Sequence, residues 1–179
     1  MNKKRIRFFP GITAIISGAV TAVIGIVMNA VLIPAIEANT GGIRCFDMNF
    51  AYSPETARAF LRSIGDEGRY IYLHRQLPLD FVYPVFYTLL FVSLIFLLCK
   101  SKKLLPALLV LPSALALLDY AENIMSIIML KNGISSDSFA VIASCVTSAK
   151  TVFMYLTAAV IIILLIKALI HRKKENDKC

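Results

Sequence analysis

The chain has 179 residues, of which 58% are hydrophobic and 17% charged, and its mean hydropathy is +0.74. Soluble domains carry about a quarter charged residues, so this composition excludes an ordinary soluble fold and points to a membrane protein. The net charge of +8 does not point to nucleic acid, because the basic residues flank apolar runs instead of forming a patch on a polar surface.

Four apolar runs, 10–33, 77–98, 104–130 and 141–168, are each long enough to span a bilayer. They predict a single all-α domain, a four-helix transmembrane bundle whose first partner is the lipid bilayer. Lys3, Lys4, Arg5 and Arg7 precede the first run, Lys100, Lys102 and Lys103 separate the second from the third, and Lys167, Arg172, Lys173, Lys174 and Lys178 close the fourth. With an even number of spans these places share one side. The positive-inside rule then predicts a multi-pass plasma-membrane protein with both termini cytoplasmic.

The first run is longer than the ~7–15 apolar residues of a signal peptide, so it reads as an uncleaved span. Along it Ser17, Thr21, Gly25 and Asn29 recur every four residues, a small-residue stripe that lets a neighbouring helix approach closely. Pro34 and the Asn39-Thr40-Gly41-Gly42 cluster are expected to end this helix and open an outer segment, 37–76. Within that segment Ser53 suits an N-cap, Pro54 the first helical position and Glu55 the positive helix end. Ala57, Phe60, Leu61 and Ile64 then fall on one face, with Arg58 and Arg62 opposite and Gly65 as a stop. This predicts a short amphipathic helix on the outer membrane surface or lidding the bundle.

A second helical start at Asp66-Glu67 leads through Arg69, His74 and Arg75, placed at the outer rim, into the second span. There Asp80, Tyr83 and Tyr87 share a face, and Pro78 and Pro84 are expected to free backbone carbonyls toward the interior. The third span carries Asp119, Glu122, Asn123 and Ser126 at helical spacing on one face, leaving Leu117, Ile124 and Ile128 to point elsewhere. The last helix is predicted over 138–170, followed by a charged cytoplasmic tail at 171–179 without fixed structure.

Four cysteines, Cys45, Cys99, Cys145 and Cys179, show neither CxxC nor metal-ligand spacing. Cys45 and Cys145 both fall on the outer side, and whether they are bridged stays open. No nucleotide fingerprint or internal repeat is present, and no cofactor or metal is expected.

Depth ties these residues together. Counted along helices from the cytoplasmic end, Asp119 lies ~22 Å in, Glu122 ~27 Å, Asp80 ~27 Å, Lys150 ~26 Å and Asn29 ~30 Å. All four helices therefore present a polar group in one layer, the outer third of the membrane. A lone charge at such depth costs ~2.5–3.5 kcal/mol or more, so these residues are expected to face inward and pair. Lys150 is the only basic residue there. It is expected to pair with Asp119, Glu122 or Asp80, while Asn29 and Asn123 supply neutral hydrogen bonds. Three carboxyl groups against one ammonium leave a surplus. One carboxyl is then protonated, paired with Arg69, His74 or Arg75, or matched by a cationic ligand. The pocket candidates are Asp80, Tyr83, Tyr87, Asp119, Glu122, Asn123, Lys150 and Asn29.

The stretches Gly68-Arg69-Tyr70-Ile71-Tyr72-Leu73, Leu79-Asp80-Phe81-Val82-Tyr83-Pro84-Val85-Phe86-Tyr87 and Asp119-Tyr120-Ala121-Glu122-Asn123 resemble small, uncharacterised bacterial four-span membrane proteins. That resemblance implies no activity. The layout of four spans, outer acidic residues and a lid is also similar to sterol-isomerase-like membrane proteins, whose motif residues do not map onto this chain. Three functional readings follow. One is a polar pocket that binds or moves a small amphiphile or lipid; another is a membrane-embedded enzyme using the same carboxylates as acid and base on a lipid. The third is an accessory or immunity-type interaction protein in which the charged layer only fixes packing. Self-association into a homo-oligomer is open in each.

Overall fold

The computed structural model describes residues 3–176, with side chains for 9–171 and Lys173. The expectations for Lys3, Lys4, Arg5 and Arg7, and for Arg172, Lys174, Lys178 and Cys179, concern side chains outside the described set. Among the described residues the structure is all-helical: α1 (Lys3–Val27), α2 (Ile33–Asn39), α3 (Pro54–Ser63), α4 (Gly65–Ile71), α5 (Leu77–Leu98), α6 (Leu105–Asn132) and α7 (Asp137–Asn176). Four continuous helical stretches, Phe9–Asn39, Gly65–Leu98, Leu105–Asn132 and Asp137–His171, are long and apolar enough to cross a membrane.

Of the first two, the second starts at Gly65, beside the expected Asp66-Glu67 start, and the first runs to Asn39, at the expected Asn39-Thr40-Gly41-Gly42 cluster. Pro34, expected to help end the first helix, does not do so, and Pro78 does not interrupt the second. A proline removes the N–H that should bond the carbonyl four residues earlier. Here the chain widens just before it. The π turn Met28–Leu32 closes with the Ile33 N–H on the Met28 carbonyl, one residue ahead of Pro34. The π turn Tyr72–Gln76 closes with the Leu77 N–H on the Tyr72 carbonyl, one residue ahead of Pro78. Each wide turn absorbs the missing donor and the helix continues. The two π turns pack against each other. At the other end of the chain α7 runs on through 171–176, where the sequence suggested an unstructured tail.

In the bundle α1 packs along α5, α6 along α7, and α5 also touches α6 and α7. The lipid-compatible faces follow from the same periodicity. Leu117, Ile124 and Ile128 of α6 are exposed, whereas Asp119, Glu122, Asn123 and Ser126 on its other face are at most 3% exposed.

One end of the bundle is capped by residues 40–64. Phe46, Tyr52, Phe60 and Tyr72 form an aromatic core there, with ring centroids of Phe46 and Phe60 4.7 Å apart. Ser53 accepts a hydrogen bond from the Thr56 N–H at 3.2 Å and so starts α3. Ala57 and Phe60 of α3, together with Ile64 just past its end, are buried against this core, so the apolar face of α3 covers protein. Arg58 on its other side pairs with Asp137 at the start of α7. Where α4 crosses α2 the chains come very close. A Cβ at Gly68 would sit 2.9 Å from the Asn39 Cβ and 2.8 Å from the Ile64 Cγ1, so only glycine fits.

Candidate functional site

Below the aromatic cap α6 and α7 bring opposite charges together. The Lys150 Nζ of α7 forms an ion pair with Glu122 and lies 3.4 Å from the Asp119 Oδ1. Two hydroxyls complete the arrangement. Thr147 Oγ1, one turn before Lys150, donates to the Glu122 Oε1 at 2.5 Å, and the Tyr87 hydroxyl of α5 donates to the Asp119 Oδ2 at 2.9 Å. Burial of ions this deep is tolerable only when remaining lone pairs are met by donors. Here they are.

Asn123 serves backbone. Pro84 has no N–H, so the Asp80 carbonyl one turn earlier has no helical donor. The Asn123 Nδ2 supplies one at 3.0 Å, which ties α6 to α5 at the proline. The Asp80 side chain itself is 5% exposed, and among the described residues no hydrogen bond or ion pair to its carboxylate is present.

Asp80 faces a cavity of about 230 Å³. Its walls are Met28, Asn29 and Ile33 on the first helix, Asp80 and Tyr83 on α5, Asp119 on α6, and Lys150, Thr151, Met154 and Tyr155 on α7. Asp47 and Met48, from a short 3-10 turn in the cap, form its roof. Asn29 and Tyr155 are both exposed, so the cavity lies between the first and last helices and reaches the apolar surface there.

Asp47 is the residue that sequence reading passed over. By sequence it is one more charge in the 37–76 segment, which also carries Arg44, Arg58, Arg62, Arg69 and Arg75. In the fold it sits over the charged layer, half-buried, and its carboxylate accepts a hydrogen bond from Tyr72 at 3.4 Å. Removal from water pushes its carboxyl up to about 6; Lys150 opposes the shift, while Glu122 and Asp119 add to it. Its setting between Phe46 and Met48, after Cys45, is the sequence feature that could have marked it. Burial, with Asp47 and Glu37 nearby, also pushes the Cys45 thiol up, leaving it a poor nucleophile. Cys45 and Cys145 are both free thiols, one buried and one exposed.

Several other residues stand apart from the layer they were expected to join. Asn29 has the right depth, but its Nδ2 donates to the Gly25 carbonyl at 2.9 Å, and its side chain flanks the cavity without meeting a carboxylate. Arg69 donates to the Leu61 carbonyl at 3.3 Å. His74 packs on Tyr70, with ring centroids 4.8 Å apart, and Arg75 is exposed. None of these three forms an ion pair with Asp80, Asp119 or Glu122 among the described residues. Nor does any group of three or more His, Cys, Asp or Glu among those residues have a geometry that would hold a metal ion.

Comparison with known proteins gives no analogue. No family model, curated protein or solved structure matches the chain. Function must be read from the site itself.

Proposed function

We propose that this is a four-span plasma-membrane protein, with both termini cytoplasmic, whose polar cavity in the outer third of the bilayer binds or moves a small amphiphile or lipid. The cytoplasmic assignment follows from the basic residues clustered at the uncapped end, which makes 40–64 an outer lid. The carrying observation is one of position. A cavity with carboxylates and a lysine on its walls lies between the first and last helices, at the depth where a bilayer surrounds them. Ionisable groups in such a place are expensive, and membrane proteins keep them mainly along substrate or ion paths. A cavity that reaches the lipid-facing surface admits a molecule that has both a polar head and a chain.

An acid/base enzyme reading would lead one to expect a lateral opening between the second and third spans. Those helices pack against each other, and the cavity lies elsewhere.

The test is purification of the full chain in mild detergent, followed by lipid mass spectrometry of what travels with it. A specific amphiphile is expected with the native protein, depleted in Asp119→Asn and Glu122→Gln. Finding none, together with unchanged thermal stability in both variants, would overturn the reading.

A further inference from the structure

We infer that the amphiphile is a long-chain amine, its protonated ammonium group seated against Asp80 beneath Asp47 and its chain laid along the groove between α1 and α5. This rests on the cavity being a binding site, and it adds the chemistry of the head and the path of the tail.

Charge selects the head. Three carboxylates, Asp47, Asp80 and Asp119, line the cavity with one ammonium, Lys150. That ammonium is already held by Asp119 and by Glu122, which lies behind the wall. An anionic head would find no free cation there. Asp80 is the opposite case: it is 5% exposed and lines the cavity, and nothing among the described residues donates to its carboxylate, the condition that a cationic donor relieves. A metal ion is the poorer occupant, because hard cations need about six oxygen ligands and no such grouping is present among the described residues. Between organic cations, the wall favours one with N–H groups. Carboxylates reward donors through charge-assisted hydrogen bonds, whereas a quaternary ammonium prefers an aromatic cage, and only Tyr83 and Tyr155 are aromatic here.

The tail has its own place. A second groove, of about 590 Å³, shares Asn29 and Tyr83 with the cavity and runs down the first helix past Gly25, Ala22 and Thr21 to Gly18 and Leu90. From Asn29 to Gly18 is ~16 Å of helix, about one leaflet of a ~30 Å hydrocarbon core. The stripe that reads in sequence as a helix-packing surface is packed only in part. Added Cβ atoms at Gly18 and Gly25 would just touch Leu90 and Tyr83, at 3.4 Å each, so small residues keep this floor low. Head site and chain groove are continuous at Asn29 and Tyr83.

The experiment uses full-length protein in phosphatidylcholine nanodiscs at neutral pH. It is titrated separately with dodecylamine, dodecyltrimethylammonium, dodecanol, dodecyl sulfate and methylamine, with binding read by native mass spectrometry and by thermal shift. Dodecylamine should bind saturably and at least about tenfold tighter than each of the others, the worth of one charge-assisted hydrogen bond. Asp80→Asn should lose that margin while its unliganded melting temperature stays the same or rises. Ala22→Phe, which fills the groove, should weaken dodecylamine and leave methylamine unaffected. If Asp80→Asn does not fold, Asp47→Asn, on the cap outside the spans, carries the comparison. Equal binding of the trimethyl or sulfate probe, or an undiminished amine margin in a folded Asp80→Asn, overturns the amine assignment while leaving an amphiphile site standing. No saturable binding of any long-chain probe overturns both.

Discussion

At the α6–α7 seam every charged group has an answering one: Lys150 meets Glu122 and Asp119, and Thr147 and Tyr87 take up further carboxylate oxygens. Across the cavity, at similar depth, the Asp80 carboxylate meets none of them. The first helix is the difference. It packs along α5 but contributes to this layer only Asn29, whose amide is turned back onto Gly25. A saturated cluster on one side and an unsaturated carboxylate on the other separate two tasks. The seam holds three helices together, and the cleft beside the fourth takes no part in that pairing.

The largest effect should come from breaking the saturated side. Lys150→Met removes the cation from two buried carboxylates, and an uncompensated buried pair of this kind costs ~3–5 kcal/mol. A sharply lower melting temperature in detergent, or loss of monodisperse protein, is expected. Adding Asp119→Asn and Glu122→Gln to the same variant should restore most of the loss, because a neutral cluster of the same shape leaves no stranded charge. If the triple variant remains as unstable as the single one, the seam is held by packing of the lysine stem and not by charge balance.

Next come two substitutions that test how the open side is kept rigid. Asn123→Leu strands the Asp80 carbonyl at the Pro84 break, and an unmet buried acceptor costs ~1–3 kcal/mol. Gly68→Ala forces a methyl into space occupied by Asn39 and Ile64, where overpacking costs ~1–3 kcal/mol. Both should lower thermal stability. Only Asn123→Leu should also alter the cavity, read as a changed profile of co-purified lipid, since Gly68 lies in the crossing of α2 and α4 beneath the cap.

Much of this contrast was legible in sequence, and the part that was not has a plain cause. Helical rise fixes depth, so Asp80, Asp119, Glu122 and Lys150 could be assigned to one layer by counting, and the last three are the residues that meet. Counting fixes depth but not azimuth. Asn29 has the right height and turns away, while Arg69, His74 and Arg75 find partners or exposure elsewhere. Thr147 was invisible because a hydroxyl on a helix gives no sign of whether it will cap its own backbone or a neighbour's carboxylate. Asp47 was missed because a loop has no period: its apolar neighbours Cys45, Phe46 and Met48 mark a segment that packs inward, but not which residues it packs over. In the first two spans the helix end that failed is Pro34, where a stop rule met a π turn that lets the helix through to Asn39, whereas the start at Asp66-Glu67 was legible from its acidic first turn.

The smallest effect belongs to Asp47, and its direction is the informative part. Its carboxyl is raised from 3.8 to about 6 in the folded chain, first by removal from water and then by Glu122 and Asp119, against the pull of Lys150. Between those values the folded protein holds a proton that the unfolded chain has released, so stability falls as pH rises from about 4 through 6. Water reaching the partly exposed side chain leaves this on the order of 1 kcal/mol. In Asp47→Asn the melting temperature should lose that slope and sit above the native value at pH 7, where the native carboxylate is ionised over an already acidic cavity. Parallel melting curves for the two proteins across pH 4–7 would mean that Asp47 does not feel the charged layer at all. The roof would then be a cover without electrostatic contact to the cavity it closes, and the surplus of negative charge on the open side would rest on Asp80 alone.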